Sequence, residues 1–298
     1  MSEAVVDFNV NNYRLFGVHT FTSIDAKLAV IFLPAGLKYH VGPHRLHVKF
    51  ARRIINDKIC AYRIDPYAIG ESDGLLKSGS VQNIWRDIEE GKFVPDIVSM
   101  IHHIKTQKGI DKVVLFGICG GAVTAEYVAE KIQIDGIISV NTACLLSSSN
   151  KSKKQITNKQ AGNIFRNYFK RAFSFDGWRR FFSGQSDYNA LIQIVGNLKR
   201  RVLRSRKEID GINTKYLKLL SKCKERKVPH LFIFGERDGR WLEFQDIALK
   251  NIFNNEMSNN NYDIHVIQDA NHELHLKEWQ DKAVDLINIF LENEVNDA

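Results

Sequence analysis

The sequence of 298 residues contains few cysteines and prolines and has no long apolar run. Its four cysteines, Cys60, Cys119, Cys144 and Cys223, form no CxxC pair, which excludes a zinc knuckle or a disulfide scaffold and is typical of a reducing compartment. The five prolines and 19 glycines argue against a long disordered or collagen-like segment. The run LAVIFL (28–33) has the length of a strand, far short of the ~20 residues of a transmembrane helix.

The first residues, MSEAVVDFNV, include Glu3 and Asp7 and have no basic stretch before an apolar run. A secretory signal is therefore not expected, and together with the cysteine spacing this favours a cytoplasmic location. Apolar side chains are abundant, at 44% of the residues, and 26% of the residues are charged. This composition is typical of a globular protein that buries a sizeable core.

Positive charge is concentrated in residues 143–228. This segment carries 21 Lys and Arg but five Asp and Glu, a net charge of +16, whereas the whole chain carries +8. It contains a serine-rich stretch near its start and the aromatic and basic run FRNYFKRAFSFDGWRRFF (165–182). We therefore predict a core domain formed by residues 1–142 and 229–298, with 143–228 inserted into it as a mainly helical cap.

Outside this insertion, short apolar runs alternate with helical patterns. Because the runs are almost continuously hydrophobic, they are typical of strands that are covered on both faces. The alternation predicts an α/β fold with a mostly parallel sheet, which binds ligands beyond the carboxyl ends of its strands. The predicted strands are 28–34, 58–65, 112–118, 136–141, 230–236 and 262–268, the predicted helices are 44–56, 94–107, 121–131, 242–253 and 276–292, and residues 4–22 are expected to add antiparallel edge strands.

The third of these strands leads directly into the sequence G-I-C-G-G (117–121), and a helical pattern follows. A G-x-nucleophile-x-G sequence at a strand-to-helix bend holds the nucleophile on a strained residue, while glycines let the neighbouring backbone pass closely. The N-terminus of the helix favours a thiolate. The pattern therefore predicts that Cys119 is a nucleophile, although a buried cysteine in a glycine-rich turn is the alternative interpretation.

A cysteine nucleophile requires a base and an acid that orients the base. In folds with this bend, the chain order is nucleophile, acid, histidine. Asp238 lies just after one predicted strand and His272 just after the last one, so we predict these two as acid and base. Glu236 is the alternative acid, His275 and His265 are the alternative bases, and Asp238 could instead cap the next helix.

The same chemistry requires two N–H donors that bind an oxyanion. Gly120 follows the nucleophile and should supply one backbone N–H, and the loop after the strand 28–34 should supply the other. We predict Leu37 as this second donor, with Gly36 as the next choice. An ordinary strand-to-helix turn would have the same local sequence.

Five stretches carry a family resemblance: LPAGLKYHVGPHR (33–45), YRIDPYAIGESDG (62–74), LFGICGGA (115–122), GERDG (235–239) and DANHE (269–273). Over residues 25–295 the chain resembles the α/β-hydrolase superfamily, and within it the hydrolases associated with bacterial exosortase systems, in the serine-aminopeptidase-like group. The resemblance implies an α/β-hydrolase fold with a Cys-Asp-His triad. Dienelactone hydrolases and polyhydroxyalkanoate synthases look similar at the level of the triad, so the direction of the reaction stays open.

This chain departs from the family pattern at two places. Tyr67-Ala68 stands where the family has an Arg-Gly pair, and Gly120 stands where an Asp usually follows the cysteine. In the family, a V-G-S-H-R motif precedes the first helix, and here it reads V-G-P-H-R (41–45). His44, Arg45 and, in the insertion, Trp178 are candidate substrate contacts, although His44 and Arg45 could equally serve to fix their loop.

We therefore expect a cysteine-nucleophile acyl hydrolase of the thioesterase or esterase type that works through an acyl-enzyme. The basic insertion could dock an acidic acyl carrier protein or the phosphates of CoA, or it could be a solvated basic face. Three other functions are open: an acyltransferase to an alcohol or amine, a binding protein that uses the basic and aromatic insertion, and an inactive hydrolase fold. No nucleic-acid motif and no His/Asp/Glu spacing of a tetrahedral zinc site is present in the sequence, so neither nucleic acid nor a metal or other cofactor is expected.

Overall fold

The computed structural model describes residues 1–76, 81–146 and 211–296. The strands are β1 (Ser2–Val10), β2 (Tyr13–Phe21), β3 (Leu28–Phe32), β4 (Ile59–Asp65), β5 (Lys112–Ile118), β6 (Gly136–Val140), β7 (His230–Gly235), β8 (Ser258–Asn259) and β9 (Tyr262–Ile267). The helices of eight or more residues are α1 (Leu46–Ile54), α2 (Val81–Glu89), α3 (Val94–Lys108), α4 (Gly120–Lys131), α5 (Thr214–Glu225) and α7 (Lys277–Asn296), and the short α6 (Gly239–Phe244) continues into a π-helical turn at Gln245–Leu249.

The described strands form one sheet in the order β1-β2-β4-β3-β5-β6-β7-β9-β8. The pairs β4–β3, β3–β5, β5–β6, β6–β7 and β7–β9 are parallel, and the remaining pairs at the two edges are antiparallel. Every residue of β3, β4, β6 and β7 is buried, which is why these strands read as continuous apolar runs. The predicted mostly parallel sheet and its edge strands are confirmed.

Helices cover both faces of this sheet. α1 and α7 contribute Phe50 and Leu291 to one buried cluster, together with alternate strand residues such as Phe32 and Phe116. Because successive strand residues point to opposite faces, the intervening buried residues of the strands face the layer formed by α3, α4 and α5. Within the described ranges, no helix combines the length and the apolar character that crossing a lipid bilayer requires.

The compact unit that carries the sheet covers Met1–Ser148 and Ile212–Ala298. It therefore includes α5, which falls in the range 143–228 that we assign to the insertion and which packs against α4. The rest of that range, with Trp178 and the aromatic and basic run, lies outside the described residues. The cap and its boundaries stay a prediction.

Candidate active site

The carboxyl ends of four strands in the parallel part of the sheet bring together the residues that the sequence marks for chemistry. The turn 35–37 follows β3, Cys119 follows β5, Asp238 lies three residues after β7, and His272 lies five residues after β9. Since parallel strands end at the same edge of a sheet, residues that are far apart in the chain meet there.

Cys119 lies on a strained bend between β5 and α4. Its φ is 52° and its ψ is −111°, a conformation that L residues rarely adopt. Glycine is required on both sides of it: a Cβ on Gly117 would lie 2.3 Å from the backbone N of Ala122, and a Cβ on Gly121 would lie 2.8 Å from the carbonyl oxygen of Pro34. The predicted bend is present, and it holds the thiol at the end of the sheet.

Cys119 is also the accessible thiol. All four cysteines lie in the described part of the chain and none forms a disulfide; Cys119 is partly exposed, whereas the other three are buried. Burial raises the pKa of Cys60 to about 12 and raises the pKa of Cys144 and Cys223 as well. A thiolate-dependent reaction is therefore directed to Cys119.

Asp238 and His272 form a close hydrogen-bonded pair. His272 Nδ1 is 2.6 Å from Asp238 Oδ2, and the Asp238 side chain is 8% exposed. Because the carboxylate accepts from Nδ1–H, the Nε2 atom of the ring is left for the thiol. Asp238 Oδ1 also accepts from the Arg240 N–H at 3.1 Å, so the same residue caps α6 and orients the imidazole.

The imidazole of His272 also contacts the thiol. Burial lowers the pKa of His272, but hydrogen bonds to Asp238 and Cys119, together with the negative charges of these two groups, raise it to about 10. The protonated form of the His272 imidazole is therefore stabilised in this site.

The predicted oxyanion donors lie side by side. Gly120 is the first residue of α4, so its N–H has no carbonyl partner within the helix. The Lys38 N–H donates to the Ala35 carbonyl at 3.2 Å, which closes a turn around Gly36 and Leu37. A Cβ on Gly120 would lie 3.5 Å from Gly36 Cα, so the two backbone segments are adjacent. The assignment of Leu37 or Gly36 as the second donor stays a prediction.

The alternative acid and bases lie elsewhere. Glu236 is exposed and accepts from the Asp269 N–H at 3.0 Å. His265 lies within β9, and His275 is bonded to Asn271 and paired with Glu273.

Comparison with known proteins was made at the level of sequence and of structure. No family model and no curated protein matches this chain. Solved structures do match over nearly its whole length. Est1E from Butyrivibrio proteoclasticus, with ferulic acid bound, has a TM-score of 0.58 and 11% identity, over 98% of this chain and 99% of that chain. Dienelactone hydrolase from Anabaena variabilis has a TM-score of 0.57 and 13% identity, over 98% and 97%. An esterase of Pyrococcus furiosus has a TM-score of 0.54 and 17% identity, over 98% and 91%.

This chain has the α/β-hydrolase fold. At these identities the likeness concerns the fold alone, and the narrower resemblance to exosortase-associated hydrolases stays a prediction.

In this α/β-hydrolase fold, Arg240 places a positive charge near Cys119. Burial lowers the pKa of Arg240, but the charges of Glu243, Cys119 and Asp238 and a hydrogen bond to Glu243 raise it above its usual value. Arg240 Nη1 lies 2.7 Å from Glu243 Oε2, which holds the guanidinium in place. Arg240 therefore lies close enough to Cys119 and Asp238 to interact electrostatically with both. Arg240 is not among the site residues predicted from sequence, although its position two residues after the predicted acid is a usable signal.

Asn141 connects the loops that carry the acid and the base. It directly follows β6, is fully buried and has a φ of 47°. Its Oδ1 accepts from the Gly235 N–H at 2.9 Å, and its Nδ2 donates to the His272 carbonyl at 2.8 Å. Asn141 thus fixes the end of β7 and the backbone of His272 relative to each other.

Trp85 covers the predicted oxyanion glycines. A Cβ on Gly36 would lie 2.4 Å from Trp85 Cη2, and one on Gly120 would lie 3.3 Å from Trp85 Cζ3. The indole therefore packs directly on both residues, and Gly36 has a left-handed φ of 65°. The spacing of Ile84, Trp85 and Ile88 was the sequence signal for α2, which was not among the predicted helices.

His44 and Arg45, the predicted substrate contacts, both have left-handed backbone conformations, with φ values of 49° and 61°. His44 Nε2 lies 2.7 Å from Glu273 Oε2, and His275 Nε2 lies 3.4 Å from the same oxygen. The ligand atoms of these three side chains are within 4.8 Å of one another, so they could hold a metal ion. His44 and Glu273 are 229 positions apart, which is why no spacing in the sequence indicated such a group.

Proposed function

We propose that this protein is an acyl hydrolase that cleaves thioesters or esters with Cys119 as its nucleophile. One observation carries the proposal: a partly exposed thiol on a strained bend interacts with an imidazole that is itself bonded to a buried carboxylate. The order nucleophile, acid, base along the chain and the fold of the solved esterases support the same conclusion.

The reaction has two steps. The Cys119 thiolate attacks the carbonyl carbon, and the N–H groups of Gly120 and Leu37 bind the oxyanion that forms. The tetrahedral intermediate collapses to an acyl-enzyme as the bond to the leaving group breaks, and His272 gives its proton to that group. His272 then takes a proton from water, which attacks the acyl-enzyme, releases the acid and restores the thiolate. Asp238 holds the imidazole in one tautomer throughout.

A thiolate nucleophile favours substrates with a good leaving group. Thioesters, lactones and activated esters release a thiol or a stabilised alkoxide readily, whereas an amide requires stronger protonation of its nitrogen. We also infer that the acyl group arrives on CoA or on an acidic acyl carrier protein, because the segment 143–228 carries a net charge of +16. Turnover of a carrier-bound acyl group should then fall as salt is added.

Covalent labelling and turnover test the role of the thiol. The protein is incubated with iodoacetamide, and separately with thioester, ester and amide forms of one acyl group, and the intact mass and the hydrolysis rate are recorded. The natural chain should take up one label and should hydrolyse the thioester fastest and the amide slowest. Cys119→Ala should lose both the label and the turnover.

Cys60→Ala is the matched control, because Cys60 is buried in β4 and its thiol pKa is raised to about 12 by burial. This variant should keep both the label and the turnover. Persistent labelling or turnover in Cys119→Ala would overturn the proposal.

A further inference from the structure

Two loops beside the catalytic residues bring two imidazoles and a carboxylate together. His44 lies in the turn before α1, and Glu273 and His275 lie in the loop after β9. The side chains of the three are between 34% and 50% exposed, so an ion can reach them from solvent. We propose that His44, Glu273 and His275 form a binding site for a divalent transition metal such as zinc.

Two of the three distances between ligand atoms fit a tetrahedral ion after small side-chain movements, and the third is at most 4.8 Å. Zinc binds imidazole nitrogen and carboxylate oxygen at about 2.0–2.2 Å, which places neighbouring ligand atoms about 3.3 Å apart. His275 Nε2 and Glu273 Oε2 are already 3.4 Å apart. The distance from His44 Nε2 to the same oxygen is 2.7 Å, and it would have to open by about 0.6 Å. The three side chains leave the fourth position to water.

The choice of metal follows from the ligand atoms. Imidazole nitrogens suit zinc, copper, nickel and cobalt, whereas magnesium and calcium require oxygen ligands. One carboxylate with two neutral imidazoles leaves the zinc site with a single net positive charge. Since only three protein ligands are present and all are partly exposed, binding should be weaker than in a closed structural zinc site.

Asn271 is the partner that would orient one ligand. Its side-chain amide lies 2.7 Å from His275 Nδ1, on the opposite side of the ring from Nε2. For Nε2 to bind a metal, Nδ1 must carry the proton and donate it to an oxygen. The amide must therefore present Oδ1 to the ring, which gives up the 3.3 Å hydrogen bond from the His275 N–H to that oxygen. Asn271 is thus a positioning residue for the metal.

The test measures metal binding by the untagged chain. Calorimetry gives the affinity for zinc, and the visible absorption spectrum reports on bound cobalt. We expect one zinc per chain, no binding of magnesium, and at least a tenfold loss of zinc affinity in each of His44→Ala, Glu273→Gln and His275→Ala. Asn271→Ala should lower the affinity by a smaller factor. His102→Ala, which changes an exposed histidine of α3, should bind like the natural chain.

A second variant separates this site from the catalytic thiol, which could also bind zinc. Cys119→Ala should retain full zinc affinity, and the cobalt spectrum should lack a thiolate charge-transfer band. The proposal is overturned if zinc does not bind, or if binding is lost in Cys119→Ala and kept in His275→Ala. Because binding is measured directly, the result does not depend on whether the chain hydrolyses thioesters.

Discussion

The side chain of Asn141 links the end of β7, which precedes Asp238, to the backbone of His272. Its hydrogen bond from the Gly235 N–H is buried and its hydrogen bond to the His272 carbonyl is partly buried. Its positive φ makes glycine a better replacement than alanine. Asn141→Gly keeps the backbone conformation and removes both hydrogen bonds. It therefore isolates the positioning effect of the side chain.

We expect Asn141→Gly to lower kcat roughly 10- to 100-fold with little change in KM, because His272 loses its alignment while the substrate surface stays intact. The free energy of unfolding should fall by about 1–3 kcal/mol. Steady-state kinetics on a thioester and urea unfolding measure the two effects.

Asn213→Ala provides the control for a purely structural loss. Asn213 is also buried, and its side chain caps α5 by accepting from the Tyr216 N–H at 3.0 Å. This variant should lose about 1 kcal/mol of stability and keep its kcat. A kcat in Asn141→Gly that equals that of Asn213→Ala would show that Asn141 has no positioning role.

At the scale of elements, the join of β5 to α4 depends on backbone that passes within van der Waals contact. A Cβ on Gly121 would lie 2.8 Å from the Pro34 carbonyl oxygen and 3.1 Å from that of Leu33. Both are backbone atoms next to the oxyanion turn, so they cannot move without moving the turn. At Gly120, the nearest atoms to a Cβ, at 3.2 and 3.3 Å, belong to the side chains of Ile88 and Trp85.

Gly121→Ala should therefore lower the free energy of unfolding by about 1–3 kcal/mol, despite the higher helix propensity of alanine. Gly120→Ala, in the same helical turn, should be clearly less destabilising because the side chains around it can shift. Urea unfolding of both variants is the measurement. Equal stability losses would contradict the role assigned to the Pro34 carbonyl.

Some elements could be predicted from sequence and others could not. The bend at Cys119 was predictable because strand, glycine spacing and helix are all local. The predicted helix 242–253 starts earlier, at Gly239, because Asp238 caps it, and it passes into a π-helical turn. The helix α2 was not predicted. Its contribution to the site is the packing of Trp85 on Gly36, and these two residues lie far apart in the chain.

For the molecule as a whole, the buried carboxyl of Glu126 makes stability depend on pH. Glu126 is fully buried in α4, and burial raises its pKa to about 7, partly offset by the neighbouring Cys223 thiol. Its other polar neighbour, His230, lies 3.4 Å away and has its pKa lowered to about 3 by burial. Both groups are therefore neutral in the folded protein near pH 6.

Between the ordinary carboxyl pKa of 4.5 and about 7, the unfolded chain loses the Glu126 proton and the folded chain keeps it. The Glu126 carboxyl therefore lowers the free energy of unfolding as the pH rises through that range, by up to about 3 kcal/mol. Above about pH 7 its contribution no longer changes with pH. Glu126→Gln should remove this pH dependence. The free energy of unfolding of the variant minus that of the natural chain should therefore increase from pH 5 to pH 7.

The difference between the two proteins cancels the contributions of the histidines that do not contact Glu126. Glu130→Gln is the control in the same helix. Glu130 is exposed and its hydrogen bond to Lys222 lowers its pKa, so its replacement should give a small effect of the opposite sign. Urea unfolding at several pH values gives the comparison, and a difference that does not change with pH would contradict the assignment to Glu126.

The sequence by itself determined the alternation of strand and helix, the strained bend at Cys119 and the positions of Asp238 and His272 just after strands, because each of these is a local pattern or a position relative to a strand end. Only the tertiary structure decided that Asn141 joins Gly235 to His272, that Arg240 lies near the thiol, and that His44 meets Glu273 and His275. Such contacts depend on which strands are neighbours in the sheet, and no local pattern of side chains specifies that order.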